Sequence, residues 1–226
     1  MSTNSNISAM APIKEFTLIV AATNKMGVGK GGGLPWTGLR KEMAYFARVT
    51  KRAGPGKKTN AVVMGRKTWE SIPTKFRPLA NRANYMISRT QTSEPSDVDL
   101  GPDAHAATSL TNALEKLGSR SQAKDSNDGD EKEIDRVFII GGGQIYKASL
   151  ELKEAKRILL TRIMNDFECD TYFPIQLNED GTGNGWRRTD NQELREWTGE
   201  GEVVEGVKEE GGVKYVFEMW EKIEES

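Results

Sequence analysis

Five short apolar runs, each closing on a glycine or a polar corner, alternate with helical patterns along this chain. That alternation constrains the fold most. Phe16-Thr17-Leu18-Ile19-Val20-Ala21-Ala22 is rich in β-formers at its centre. Such a run suits a strand covered on both faces, as in a parallel sheet. Asn60-Ala61-Val62-Val63-Met64-Gly65, Asn84-Tyr85-Met86-Ile87-Ser88, Arg136-Val137-Phe138-Ile139-Ile140 and Arg157-Ile158-Leu159-Leu160-Thr161-Arg162 read the same way. Leu39, Met43 and Phe46 recur at helical spacing behind Thr37, a candidate N-cap. Residues 67–72 start a helix that Pro73 stops, and residues 110–117 and 144–150 supply two more. Residues 202–207 and 213–222 flank Glu209-Glu210-Gly211-Gly212, the pattern of a terminal hairpin. The expectation is an α/β fold, one domain over residues 13–224. Its sheet is mostly parallel with helices on both faces and an antiparallel C-terminal edge. Residues 1–12 are expected as a disordered extension, and residues 119–133 and 178–200 as polar surface insertions.

Composition removes several chemistries. The chain has one cysteine, Cys169, and one histidine, His105. An intrachain disulfide and a thiolate zinc site are thereby excluded, a histidine triad or His-rich metal site is nearly so, and no metal is expected. Carboxylates, hydroxyls, backbone groups or a bound cofactor must do the work. Net charge is −1, so no global basic field exists to hold nucleic acid. No apolar run approaches the roughly 20 residues of a membrane span. The Ser/Asn-rich start carries no secretory or transit pattern, so a cytoplasmic location is expected. With no readable interface, so is a monomer.

Three strand ends attract anions. Gly65-Arg66-Lys67-Thr68 stands where a strand turns into a helix, and unpaired N–H groups there favour phosphate. It reads equally well as a capped helix with two solvated cations. Ser88-Arg89 stands where dinucleotide folds usually carry an acid for the ribose hydroxyls. A Ser-Arg corner suits a 2′-phosphate instead, hence NADPH over NADH, or is an exposed loop arginine. Gly141-Gly142-Gly143 lets the backbone approach a pyrophosphate closely, or makes a tight turn.

Glu42 is the sharpest single residue. It lies within the apolar face of its helix, three residues after Leu39 and four before Phe46. A carboxylate there either reaches out to solvent or is paired and functional. If functional, it can accept two parallel hydrogen bonds from an amino-pyrimidine edge. Trp36 and Phe46 either stack a flat heterocycle or fill the core. Asp166, Glu168 and Asp170 match only part of a calcium loop and read as a solvated turn.

Taken together these pieces resemble dihydrofolate reductases. The matching segments are Met26-Gly27-Val28-Gly29-Lys30, Leu34-Pro35-Trp36, Leu39-Arg40-Lys41-Glu42, Val63-Met64-Gly65-Arg66-Lys67-Thr68-Trp69-Glu70-Ser71-Ile72-Pro73, Arg77-Pro78-Leu79, Ile140-Gly141-Gly142-Gly143-Gln144-Ile145-Tyr146, Thr161-Arg162 and Asp170-Thr171-Tyr172-Phe173-Pro174. They run in family order, and the insertions are similar to those of fungal members. The resemblance implies an eight-stranded twisted sheet and NADPH-dependent reduction of 7,8-dihydrofolate to tetrahydrofolate, with antifolates as inhibitors. It implies that Glu42 binds the pterin, with Thr161 behind it, and that Trp36 holds an ordered water beside Leu34. Ile19, Val20, Met43, Phe46, Ser71, Ile72, Leu79, Ile140 and Tyr146 would line the folate slot, and Arg82 would clamp the substrate's α-carboxylate. Ala21, Gly29, Lys30, Gly65, Arg66, Lys67, Thr68, Ser88, Arg89, Gly141, Gly142, Gly143, Gln144 and Ile145 would bind NADPH. A cis bond before Gly142 is implied as well. Gly31-Gly32-Gly33 replaces a more usual Asn or Asp, so a more flexible loop is expected. The alternatives are a riboflavin-pathway ribosylamino-pyrimidine reductase and a non-catalytic NADP-binding domain.

Overall fold

The computed structural model describes residues 13–89, 100–122 and 132–224. The N-terminal extension and most of the first insertion lie outside these residues. The chain runs through β1 (Phe16–Thr23), β2 (Gly27–Gly29), α1 (Arg40–Lys51), β3 (Lys58–Gly65), α2 (Arg66–Ser71), β4 (Ala83–Ile87), β5 (Ala104–Ala107) and α3 (Leu110–Gln122). It continues through β6 (Glu133–Ile139), α4 (Gly143–Leu150), β7 (Ala155–Ile163), β8 (Thr171–Tyr172), β9 (Thr182–Gly183), β10 (Trp186–Arg188), α5 (Asn191–Thr198), β11 (Lys208–Glu210) and β12 (Val213–Lys222).

One sheet organises the molecule, in the order β5-β4-β3-β6-β1-β7-β12-β10-β9, with β11 paired to β12. The pairings from β5 across to β7 are parallel, and those beyond β7 are antiparallel. A separate two-stranded ribbon joins β2 to β8. The central strands are apolar on both sides because both faces are covered. Leu18, Val20, Val63 and Ile139 pack with Leu110 and Leu117 of α3 and Tyr146 of α4. Ile19, Val62, Met64 and Phe138 pack with Tyr45 and Val49 of α1, Trp69 of α2 and Leu194 of α5. Among the described residues no helix is long and apolar enough to cross a membrane.

Five expectations need correction. The sheet has ten strands, not eight. Residues 178–200 are not an insertion outside the fold, since they supply β9, β10 and α5. Single apolar anchors within a polar stretch hide this: Trp186 and Leu194 are buried, and Asp190 with Glu193 forms a capping box at α5. The first insertion is shorter than expected, because α3 runs to Gln122 and β6 begins at Glu133. In the terminal hairpin β12 pairs with Lys208–Glu210, while Glu202–Val204 forms a 3-10 turn. Finally, α1 starts at Arg40 with Leu39 as N-cap and no side-chain cap, so Thr37 does not cap it.

Helix α1 also meets two surfaces at once. Its core row is Glu42, Tyr45, Val49 and Thr50. Met43, half exposed, and Phe46, partly buried, turn to the cleft described next. The Leu39-Met43-Phe46 spacing therefore mixes core and cleft.

Candidate active site

Glu42 is 7% exposed although it is a carboxylate. It is held by one donor: the Thr161 hydroxyl, from β7, donates to Glu42 Oε1 at 3.0 Å. Thr161 is placed by register, with Ala21 of β1 on one side and Phe217 of β12 on the other. Burial pushes the Glu42 carboxyl up to about 7, opposed by the Thr161 hydrogen bond and reinforced by the negative charge of Glu210. The solvent-facing reading of this residue is thereby set aside. Beside it the Tyr146 hydroxyl donates to the Ile19 carbonyl at 2.8 Å. Burial raises the Tyr146 phenol well above its ordinary range, so it stays a neutral donor.

The carboxylate lines an open cleft of about 600 Å³ at the carboxyl ends of the parallel strands. Of the expected slot residues, Ile19, Val20, Met43, Phe46, Ser71, Ile72, Leu79, Ile140 and Tyr146 all line it. Leu34 stands at its mouth, half exposed. Trp36 is buried, its ring edge-on to Phe167 at 5.7 Å, and its indole nitrogen meets no acceptor among the described residues. Trp36 is thus both core aromatic and cleft wall.

The phosphate-friendly corners sit on three neighbouring strands, β4, β3 and β6. They touch: Gly65 N–H donates to the Gly141 carbonyl at 2.8 Å, and Arg89 Nη2 donates to the Gln144 side-chain oxygen at 3.2 Å. The Gly141-Gly142 bond is cis, as expected. A Cβ on Gly142 would stand 3.3 Å from Thr68 Oγ1, and one on Gly143 3.3 Å from Thr171 Cγ2. A side chain at either position would crowd Thr68 or Thr171, and glycine leaves the backbone exposed to the cleft. Helix α4 starts from Gly142 without a side-chain cap, which leaves its N-terminus to a ligand. Ala21, Gly29, Lys67, Thr68 and Gly141 to Gly143 line the cleft.

Several expected residues lie off that wall. Gly65, Ser88 and Ile145 build the corners from behind, with Ser88 buried and Ile145 within 3.2 Å of a Cβ on Gly65. Arg66 is exposed and pairs with Glu70 at 3.3 Å. Lys30 pairs with Glu168. Arg82 is buried, its guanidinium donating to Thr50 Oγ1 at 2.7 Å and to the Ala80 carbonyl at 3.2 Å. No carboxylate pairs with it among the described residues, and burial pulls it down to about 10.

The acidic turn does more than face solvent. Asp166 pairs with Lys25, Glu168 with Lys30, and Asp170 accepts the Gly31 N–H at 2.7 Å. The glycine loop is therefore tied at its base, while Gly31 and Gly32, both at positive φ, have open space around them. Thr171, on the ribbon strand β8, lines the cleft and was not singled out by its sequence context. A two-residue strand carries no periodic signal, so only the register with β2 finds it.

An apolar cleft at the ends of parallel strands, with one buried acid and three glycine-bearing or cationic corners, defines an α/β enzyme acting on a small flat ligand. A family model described as dihydrofolate reductase matches residues 15–198. The chain is 40% identical over 210 residues to the dihydrofolate reductase of Pneumocystis carinii, covering 92% of this chain and 96% of that protein. To the Sus scrofa dihydrofolate reductase it is 39% identical, covering 93% and 99%. A solved structure of Schistosoma mansoni dihydrofolate reductase superposes with a TM-score of 0.68 at 34% identity, covering 92% of this chain and 98% of that one. The chain belongs to the dihydrofolate reductase family, a family of oxidoreductases.

Proposed function

We propose that this chain reduces 7,8-dihydrofolate to tetrahydrofolate with NADPH, and that Glu42 anchors the amino-pyrimidine edge of the substrate. The observation that carries this reading is the buried Glu42–Thr161 pair on the wall of an otherwise apolar cleft. As a carboxylate, Glu42 accepts two parallel hydrogen bonds from an amino group and a ring N–H, which orients the pterin. Ile19 and Ile140 line the same wall, and their backbone carbonyls would meet the pterin amino group. Met43, Phe46, Ile72 and Leu79 cover the flat ring and exclude water from it.

When bound, NADPH supplies the hydride. The open backbone of Gly142 and Gly143, with Thr68 and Lys67, would hold its phosphates. Ser88, Arg89 and Arg66 would take the 2′-phosphate end. Arg82 is a buried cation that pairs with no carboxylate among the described residues, the state expected of a receptor for the substrate's α-carboxylate. The proton needed at N5 arrives through water at the mouth framed by Leu34 and Trp36. Glu42 acts at the pyrimidine edge and polarises the ring. Antifolate binding, a monomeric state and a cytoplasmic location belong to the same proposal. A bare NADP-binding domain would need neither the Glu42–Thr161 pair nor an unpaired buried Arg82.

The test is NADPH oxidation by the purified chain with and without dihydrofolate, and with a diaminopyrimidine antifolate. Oxidation that requires dihydrofolate and stops with the antifolate is expected. Folded protein that oxidises no NADPH under these conditions overturns the proposal.

A further inference from the structure

Helix α1 carries the proposed pyrimidine anchor at its third residue, yet its own sequence supplies no cap. Leu39 occupies the N-cap position without a side-chain hydrogen bond; the Gly38 carbonyl accepts the Arg40 N–H at 2.9 Å, and the next N–H, that of Lys41, needs an acceptor from elsewhere. The acceptor comes from the other end of the chain. The Glu210 carboxylate, at the end of β11, accepts the Lys41 N–H through Oε2 at 2.9 Å and Oε1 at 3.2 Å. Lys41 is the second helical residue, the position a local N-cap side chain would serve. Glu42 follows at once.

Both fixings of Glu42 thus come from one edge of the sheet. Its hydroxyl donor, Thr161, lies opposite Phe217 of β12. The cap on its helix comes from Glu210, opposite Val213 of the same strand. We infer that Glu210 is a positioning residue: it caps α1 from the C-terminal hairpin and so fixes the helical turn that presents Glu42. The inference rests on the proposed role of Glu42 in the cleft.

Other ionisable groups facing Glu42 are Tyr45 on its own helix, Tyr146 on α4 and Tyr215 on β12. Burial raises all three phenols, Tyr215 to about 12, so they stay neutral wherever Glu42 titrates. Glu210 is the acid that acts on Glu42 through charge, in the sense that raises its pKa.

Two variants separate the cap from the charge. Glu210→Gln keeps an oxygen acceptor and loses the charge, whereas Glu210→Ala loses both. In the ligand-free protein, amide hydrogen exchange at Lys41 should stay slow in Glu210→Gln and speed by roughly fivefold in Glu210→Ala, the loss expected of an N-terminal acceptor. The Glu42 titration midpoint, read by difference infrared spectroscopy against Glu42→Gln, should fall in Glu210→Gln. The KM for dihydrofolate should rise in Glu210→Ala and return towards wild type in Glu210→Gln. Unchanged Lys41 exchange in Glu210→Ala, or an unmoved midpoint in Glu210→Gln, overturns the inference. Failure of the Glu42 proposal would show separately, as normal turnover in Glu42→Gln with both ligand-free readouts intact.

Discussion

Glu42 is raised to about 7 from an ordinary 4.5, mainly by burial. The folded state therefore binds its proton more tightly than the unfolded chain does. The contribution of Glu42 to stability is greatest below about pH 4.5, where both states are protonated, and falls as the pH rises to about 7. Above that the buried carboxylate costs about 3 kcal/mol. Glu42→Gln is expected to recover most of this at alkaline pH and little in acid, as chemical denaturation at two pH values will show. Thr161→Val removes the one donor to the carboxylate, so the Glu42 midpoint should climb further, by about one unit. An activity profile whose Glu42-dependent limb stays in place would contradict that. From periodicity Glu42 was legible only as a carboxylate inside an apolar helix face, and the family resemblance supplied its role. Periodicity gave a face but not its subdivision, because α1 packs on the sheet through Tyr45 and Val49 while Met43 and Phe46 face the cleft.

Among the elements, the central strands and their glycine corners were legible because two-sided burial writes a continuous apolar run. The short antiparallel edge was not. Strands β9 and β10 are two and three residues long, and their place is set by Trp186 opposite Lys222. Helix α5 announces itself by local chemistry, Asp190 accepting the Glu193 N–H at 2.8 Å while the Glu193 side chain accepts the Asp190 N–H. Asp190→Ala should lower stability by about 1 kcal/mol in urea denaturation while turnover stays unchanged. Helix α1 is the opposite case. Its cap is Glu210, 169 positions away, and no local reading finds it. The same edge holds a buried ion pair, Arg162 on β7 with Glu218 on β12. Two hydrogen bonds of 2.8 Å join them, and Trp220 donates to the same carboxylate. Glu218→Ala would strand Arg162 in the interior, at a cost of about 3–5 kcal/mol measured by denaturation. Loss of under 1 kcal/mol would mean that water reaches the guanidinium.

At the scale of the whole molecule, one sheet separates the tasks. The glycine-bearing and cationic corners lie at the ends of β3, β4 and β6, and β1 and β7 with α1 hold the acid. Thr161 of β7 donates to that acid, and Glu210 of β11 accepts the N–H of the residue before it. Five of the six parallel strands could be read from sequence because each writes a continuous apolar run, whereas the four-residue β5, Ala104–Ala107, does not. The supporting half could not, because its contacts join residues far apart in the chain. Arg82 shows the same limit: its position in the family pattern is readable, but its burial beside Thr50 without an acid is not. The account stands on Glu42 as the substrate anchor. The most direct measurement is dihydrofolate-dependent NADPH oxidation by wild type and Glu42→Gln at neutral pH, with melting and NADPH affinity followed alongside. A fall in turnover on the order of 100-fold, with fold and NADPH affinity retained, is the expected result. Near-equal turnover in the two proteins would contradict it.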